Sequence, residues 1–502
     1  MPDLPNNEAG RPAAAGVGSR ATLAGLVAGV VAVKLAILAL VGPSVSQDTP
    51  FYIIYADAIL DGSAFAPLAW TAASVSGLVF RTAGYPLVLA AAKFVAPNFW
   101  APLAIIVQIA LGIIVLILVF RVAARLVRST GWALTAALVF ACSRALLWDN
   151  SLMSDGVYAD LFNIVILSLL GDLLGCWRLS ASKLAGLGVL WGYSLWTRDN
   201  GLYFTFLPLL LLLAGSLRGG FDWRRLGRPI GFVVIVAAMV GGYSLLNLHR
   251  TGEAFFSLTG LQNYLRPLFD MRAYGYADPF TGDDLVSRTV RETMTANDYP
   301  AQMQFIAVLG ERCHCTPTQL QSMAVAKFVA EATRHPVAYL RVIIRNFNYF
   351  DLASDLTDPI NTFNDFVQEG TPIAARIIPG LSIRHLALVG NYSLGMIALM
   401  IAAGITKATS AVAFTVFIFG IPWLWLRRWR RGAMGAELWA AGFLWLTFVS
   451  VAGAFSLIHF EARHALPVFA AAQIDIVYML VQIVGWRRGH GRLPQVKIEV
   501  KP

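Results

Sequence analysis

The chain has 502 residues, 57% of them hydrophobic and 14% charged, with 39 Lys and Arg against 29 Asp and Glu for a net charge of +10. A soluble enzyme, in which roughly a quarter of the residues carry charge, is excluded. The apolar residues fall in blocks of about twenty, enough to cross roughly 30 Å of hydrocarbon as helices, whereas a β-barrel would need short segments of alternating polarity. The fold class is therefore an all-α polytopic membrane protein. Its basic residues stand at the ends of the apolar blocks rather than along one polar face, so they read as topology signals and exclude a nucleic-acid surface.

Residues 1–20 are rich in Pro, Gly, Ala and Asn and carry Arg11 and Arg20, the composition of a disordered cytoplasmic tail. Residues 21–43 form the first span, too long for a signal-peptide core and so an uncleaved anchor. Further spans are predicted near 99–120, 131–148, 157–176, 184–197, 201–216 and 229–248, completing an amino-terminal module over 21–248. Arg121, Arg125 and Arg128, then Arg178 and Lys183, then Arg218, Arg224, Arg225 and Arg228 mark every second junction as cytoplasmic. Residues 249–383 lose hydrophobicity and gain Asp, Asn, Pro and Tyr, an extracytoplasmic region with interfacial helices such as 319–350.

Four more spans are predicted near 384–403, 409–426, 435–458 and 465–485, a second module over 384–485 before a basic cytoplasmic tail at 486–502. The count is inconsistent here. Seven crossings plus these four leave Arg427, Arg428, Arg430 and Arg431 outside, against the charge rule. Either a weak span hides between 249 and 383, around Pro336–Tyr349, or one apparent span is re-entrant. No internal repeat and no matching pair of broken helices occurs, as many transporter folds would show.

The four cysteines are too few for a disulfide framework: Cys142 and Cys176 lie in or beside apolar segments, and Cys313 and Cys315 flank His314 in a polar loop. A Cys-His-Cys triplet is too short to close a zinc site alone. No cofactor is required by these features; a divalent cation stays open.

Ionisable groups at span ends are costly in so apolar a chain, and four sets fall on the predicted outer face. Asp48, in Ser46-Gln47-Asp48-Thr49-Pro50, is either a helix N-cap or a general base for an acceptor hydroxyl. Arg81-Thr82-Ala83-Gly84-Tyr85-Pro86 is a turn before a helix, or it presents a planar cation to a phosphate. Asp149 and Asp155, with Tyr158 beyond, are loop acids and caps, or Asp155 pairs with Asp48 to share a proton, bind a cation or orient an acceptor. Arg198 pairs with Asp199 or snorkels to the surface, or it joins Arg463 and His464 in stabilising a departing phosphate, with Glu461 holding Arg463.

Together these pieces resemble the GT-C superfamily of integral-membrane glycosyltransferases. The pattern is that of the protein mannosyltransferase, lipid A aminoarabinose transferase and RgtA/B/C/D-like group. An acid in the first outer loop followed by Tyr, Ala and Gly appears as Asp48, Tyr52, Ala56 and Gly62. The group's Arg-x-Pro-Gly-Tyr-Pro element appears as Arg81–Pro86 with Ala83 replacing the first Pro, and its acid-before-Tyr element as Asp155 and Tyr158 with Asp in place of the usual Glu. Its Thr-Arg-Pro-Glu-Gly turn appears as Thr197-Arg198-Asp199-Asn200-Gly201, and its Glu-x-Arg-Tyr-x-x-x-Pro element as Glu461-Ala462-Arg463-His464-Ala465-Leu466-Pro467 with His for Tyr.

The resemblance implies a GT-C-like bundle of about 11–12 transmembrane helices and an inverting transfer on the extracytoplasmic face. It also implies a polyprenyl-phosphate sugar donor and a lipid or glycan acceptor. In that scheme Asp48 and Asp155 are the catalytic carboxylates, Arg81, Arg198, Arg463 and His464 hold the donor phosphate, and Tyr52, Tyr85, Tyr158 and Glu461 position substrate. A transporter or flippase of a lipid-linked or anionic solute is the alternative, with a membrane assembly factor third. The clustering of polar groups at one face favours the transferase, since an alternating-access site belongs near the midplane. The one sequon noted, Asn391-Tyr392-Ser393, lies in an apolar segment, and the outer loop lacks dense cysteines, which points to a bacterial inner membrane.

Overall fold

A backbone in hydrocarbon can satisfy its polar groups only within a helix or a closed barrel, and this chain takes the first solution. The computed structural model describes residues 17–46, 48–68, 78–143, 148–217, 223–293, 300–347, 394–458 and 462–487, and every regular element among them is helical. In chain order these are α1 (Val17–Val41), α2 (Thr49–Leu60), α3 (Gly84–Val95), α4 (Trp100–Val127), α5 (Thr130–Ala141), α6 (Ser154–Leu173), α7 (Ala181–Thr197), α8 (Phe206–Leu217) and α9 (Gly227–Thr251). After them come α10 (Thr259–Ala273), α11 (Leu285–Thr293), α12 (Pro300–Cys313), α13 (Pro317–Arg334), α14 (Pro336–Asn346), α15 (Leu394–Arg430), α16 (Ala436–Ile458) and α17 (Phe469–Arg487). Short 3-10 turns at Asp199–Phe204 and Ala462–Val468 lead into α8 and α17.

Eight stretches among the described residues are long and apolar enough to span a membrane, from Arg20–Leu40 to Arg463–Gly485. The most enclosed is α6, 83% buried, against 11% for the first stretch, which places α6 at the centre of the bundle and α1 at its rim. α5 and α7, of 12 and 17 residues, are shorter helices, α5 packed against α4 and α17 and α7 against α6 and α9. One end is fixed by Arg128, just after α4, against Glu437 of α16 at 2.5 Å, by Arg228 of α9 against Asp172 of α6 at 3.3 Å, and by Trp425 of α15 edge-on to Trp439 of α16.

Eight candidate crossings lie among the described residues, where about eleven or twelve were expected for the whole chain. The separate spans predicted near 384–403 and 409–426 are, from Leu394 onward, one helix of 37 residues that continues unbroken through Thr406-Lys407. At 1.5 Å per residue it is about 55 Å long and extends beyond the hydrocarbon. Residues 384–393 lie outside the described residues. The segment suspected of hiding a span, Pro336–Tyr349, is largely α14, whose 11 residues are too short to cross. The carboxy-terminal end of α15, with Arg427, Arg428, Arg430 and Arg431, lies at the same end as Arg128 and Arg228, in agreement with the charge rule.

Beyond the end of α9 the chain builds a helical layer with its own core. Leu261, Leu265 and Leu268 of α10 meet Phe280, Val290 of α11, Phe305 of α12 and Leu320 of α13. Local chemistry sets its boundaries: Thr316 and Gln319 form a reciprocal capping box that starts α13, and Pro317 occupies the first turn. Cys313 and Cys315 are joined in a disulfide at the α12–α13 junction.

Two outcomes follow for this architecture. Single cysteines introduced at Arg431 and at Arg128 should be modified by a membrane-impermeant maleimide from the same side, opposite to one at Ser257. In the outer layer, Asp284 accepts from Ser287 and Lys327; burial raises its carboxyl, but these hydrogen bonds outweigh it and bring the group below its ordinary value. A depressed folded-state value stabilises above the unfolded value, near pH 4, and the contribution is lost as pH falls through the folded value. Thermal unfolding followed by fluorescence should therefore show acid destabilisation of the wild type beginning below about pH 4, reduced in Asp284→Asn.

Candidate active site

The end of the bundle opposite Arg128 collects the charged residues singled out in the sequence. Asp48 stands immediately before α2, in the N-cap position, with Pro50 in the first turn, yet its side chain makes no capping hydrogen bond. Its two carboxylate oxygens turn instead to two arginines. Arg81 Nη2 donates to Oδ1 at 2.6 Å and Arg463 Nη1 donates to Oδ2 at 3.3 Å. The helix-cap reading of Asp48 is thus set aside by geometry: Ser46 and Thr49 satisfy the local backbone, with Ser46 N–H donating to Thr49 Oγ1 and Asp48 N–H to Ser46 Oγ.

Arg81 reaches this position because Gly84 lets α3 abut the end of α7. A Cβ on Gly84 would collide with the backbone of Trp196 and Thr197, and Tyr193 closes the junction by donating to the Gly84 carbonyl at 2.7 Å. The guanidinium of Arg81 also lies 5.7 Å from the ring centroid of Tyr52, a cation–π distance. Arg463 is supplied by the 3-10 turn that enters α17.

Asp155 begins the central helix α6 and is 2% exposed. Its partner is Arg198, in direct hydrogen-bonded contact, and not Asp48. Asp199, the neighbour expected to pair with Arg198, instead accepts from Ser257 at 2.6 Å, tying the turn to the outer layer. Burial, followed by the like charges of Arg463 and Arg81, pushes the Arg198 guanidinium down from its ordinary value, which marks three cations drawn into one locus. Three arginines and the carboxylates of Asp48 and Asp155 thus meet at this end of the bundle.

The remaining expected residues divide. Tyr52 joins the cluster's wall, its hydroxyl 2.8 Å from Ser154 Oγ and its ring edge-on to Tyr85. Tyr85 is fully buried and donates to Gln108 at 2.8 Å, a bond directed into the core. Tyr158 is buried against Gly201, where a Cβ would come within 3.0 Å of the Tyr158 ring and 2.8 Å of Leu195. His464 stacks on Phe455 with ring centroids 4.7 Å apart. Glu461 and His459 lie outside the described residues. The described residues contain no group of three or more His, Cys, Asp or Glu able to hold a metal ion.

One pair was missed from sequence. Lys34, the single charge in the first span, donates to Asp149 at 2.6 Å with both groups buried. Gln108 holds the same loop by donating to the carbonyls of Asp149 and Ser151. The loop is further clipped to the segment before α2 by Ser44 N–H to the Asn150 carbonyl and Leu152 N–H to the Ser44 carbonyl. The signal was present, since an isolated lysine in a span requires a partner, but nothing in the spacing named Asp149.

No protein-family model and no curated protein matches the chain. It is similar to two solved structures. ArnT from Cupriavidus metallidurans in the apo state is 15% identical, with a TM-score of 0.35 over 92% of this chain and 78% of that one. ArnT from the same organism bound to undecaprenyl phosphate is 13% identical, with a TM-score of 0.36 over 92% and 79%.

Two substitutions test the assembly. Arg198→Ala leaves Asp155 buried without its cation and should cost about 3–5 kcal/mol, with much of the loss recovered in Arg198→Ala/Asp155→Ala, as read by thermal unfolding in detergent. Gly84→Ala should cost roughly 1–3 kcal/mol through overpacking against α7 and should also lower activity, because it displaces Arg81.

Proposed function

We propose that the chain is an integral-membrane glycosyltransferase that moves a sugar from a polyprenyl-phosphate donor to a hydroxyl of a lipid or glycan acceptor. The observation that carries this reading is the orientation of Asp48: a carboxylate at the head of a helix that ignores the helix and faces two arginines, with a third beside them. A base next to a preorganised cationic seat is what displacement of a phosphate by a hydroxyl requires.

In the reaction the acceptor oxygen attacks the anomeric carbon and its proton passes to Asp48. The bond from that carbon to the phosphate oxygen breaks on the opposite side, so configuration inverts. The developing charge on the departing polyprenyl phosphate is met by Arg81, Arg463 and Arg198. A phosphate arriving between the arginines competes with Asp48 for their donors and turns the carboxylate toward the acceptor. Asp155 acts on Arg198, whose planar fork it fixes, and Tyr52 walls the seat. His464 lines the same turn as Arg463.

The charge rule supports a cytoplasmic assignment for the bundle end with Arg128 and Arg427–Arg431, and with it an outer-face site, in our reading at a bacterial inner membrane. The Cys313–Cys315 disulfide beyond α9 agrees, because such bonds persist in oxidising compartments.

The test is a mass-spectrometric profile of envelope glycolipids and glycans in a deletion strain complemented with wild type or Asp48→Asn. Loss of one defined sugar in both the deletion and the variant, with the rate of polyprenyl phosphate release in membranes down about 10²- to 10⁴-fold in the variant, is the expected result. An active Asp48→Asn protein would eliminate this base. An unchanged profile in the variant, with a lipid-linked precursor accumulating only in the deletion, would make the protein a transporter.

A further inference from the structure

The short helix α14 lies across the outer end of α16. Tyr339 donates to the Leu457 carbonyl at 2.8 Å and Asn346 donates to the Ser456 carbonyl, so α14 satisfies last-turn acceptors of a span and sits at the depth where that span leaves the hydrocarbon. Its inner face, Ala338 and Val342, packs into the outer layer's core. Its outer face is apolar and uncovered: Val337, Leu340 and Ile344 are 64%, 53% and 65% exposed, at the i, i+3, i+7 spacing of one helical stripe.

Along the edge of that stripe stand Arg341 and Arg345, one turn apart and both exposed. Each guanidinium lies near a tyrosine ring of the loop after α10: Arg341 is 5.9 Å from the Tyr276 centroid and Arg345 is 3.8 Å from that of Tyr274. The two rings are themselves 5.7 Å apart. The stacking leaves the arginines without a carboxylate partner among the described residues, and no acid occurs between Pro336 and Phe347. An apolar stripe at bilayer depth flanked by aromatic-supported cations matches the acyl chains and the charged head of one kind of molecule.

We propose that α14 is a binding site for an anionic phospholipid of the outer leaflet, with acyl chains against Val337, Leu340 and Ile344 and the phosphate between Arg341 and Arg345. The site docks the outer helical layer onto the bilayer beside the bundle. It does not rest on the transferase reading, because it uses none of the residues of the Asp48 cluster.

The test uses the full chain in nanodiscs. In native mass spectrometry after partial delipidation from mixed phosphatidylglycerol and phosphatidylcholine, wild type should retain phosphatidylglycerol preferentially. Arg341→Ala/Arg345→Ala should lose roughly tenfold or more of that preference, and Arg341→Lys/Arg345→Lys should keep most of it. In a Cys142→Ser/Cys176→Ser background, a fluorophore at Leu340→Cys should be quenched by spin-labelled phosphatidylcholine, as an acyl-facing position requires. Equal retention of the two lipids by wild type, or an unchanged preference in the alanine variant, overturns the proposal. So does displacement of phosphatidylglycerol by inorganic phosphate alone, which would make this a simple anion site. An unquenched probe at position 340 also overturns it, assigning the stripe to protein, either residues 348–393 or a second copy.

Discussion

Charge at the edge of a membrane has to be matched, and in this protein the matching builds the site. Asp48, at 8% exposure, cannot sit at the head of α2 as a lone anion without a large desolvation cost. It is met from two places far along the chain, by an arginine ahead of α3 and by another in the turn before α17. Asp155 is matched in the same way by Arg198, and the Lys34–Asp149 pair pins the loop that leads to Asp155. Remove these pairings and the ends of α2, α3, α6, α7 and α17 have no electrostatic reason to converge.

Much of this convergence was legible in the sequence. Asp48, Arg81, Asp155, Arg198 and Arg463 could each be picked out because ionisable residues at span ends are rare. Gly84 could be read as a turn residue, although its actual duty is to admit a neighbouring backbone. What could not be read was who pairs with whom. Adjacency suggested Arg198 with Asp199, but the tertiary fold pairs Arg198 with Asp155 and brings Arg463 to Asp48, while Glu461 lies outside the described residues. Asp48 looked equally suited to capping and to chemistry because both tasks use the same carboxylate at the same place. Only its orientation separates them.

The spans predicted at 384–403 and 409–426 were separated for a different reason. Thr406 and Lys407 interrupt the hydropathy of α15 and resemble a junction, but two polar residues do not by themselves break a helix, and α15 runs on through them and through Gly404. Read as one helix, α15 removes one predicted crossing and brings the arginine cluster at 427–431 into line with the charge rule. The outer layer was visible as a loss of hydrophobicity with helices near 319–350, but its core residues recur too sparsely to announce their partners. Its separate core, from α10 to α14, shows that it is a small folded unit set on the bundle's end.

The clamp on Asp48 also orders the making of the protein in time. Its first arginine lies 33 residues downstream and its second 415. During synthesis Asp48 and Arg81 reach the membrane early, while Arg463 arrives only with the last spans. A nascent chain therefore carries a half-matched carboxylate through most of its insertion, and the site closes at the end. A chain that stops before residue 463 lacks one arm of the clamp on Asp48.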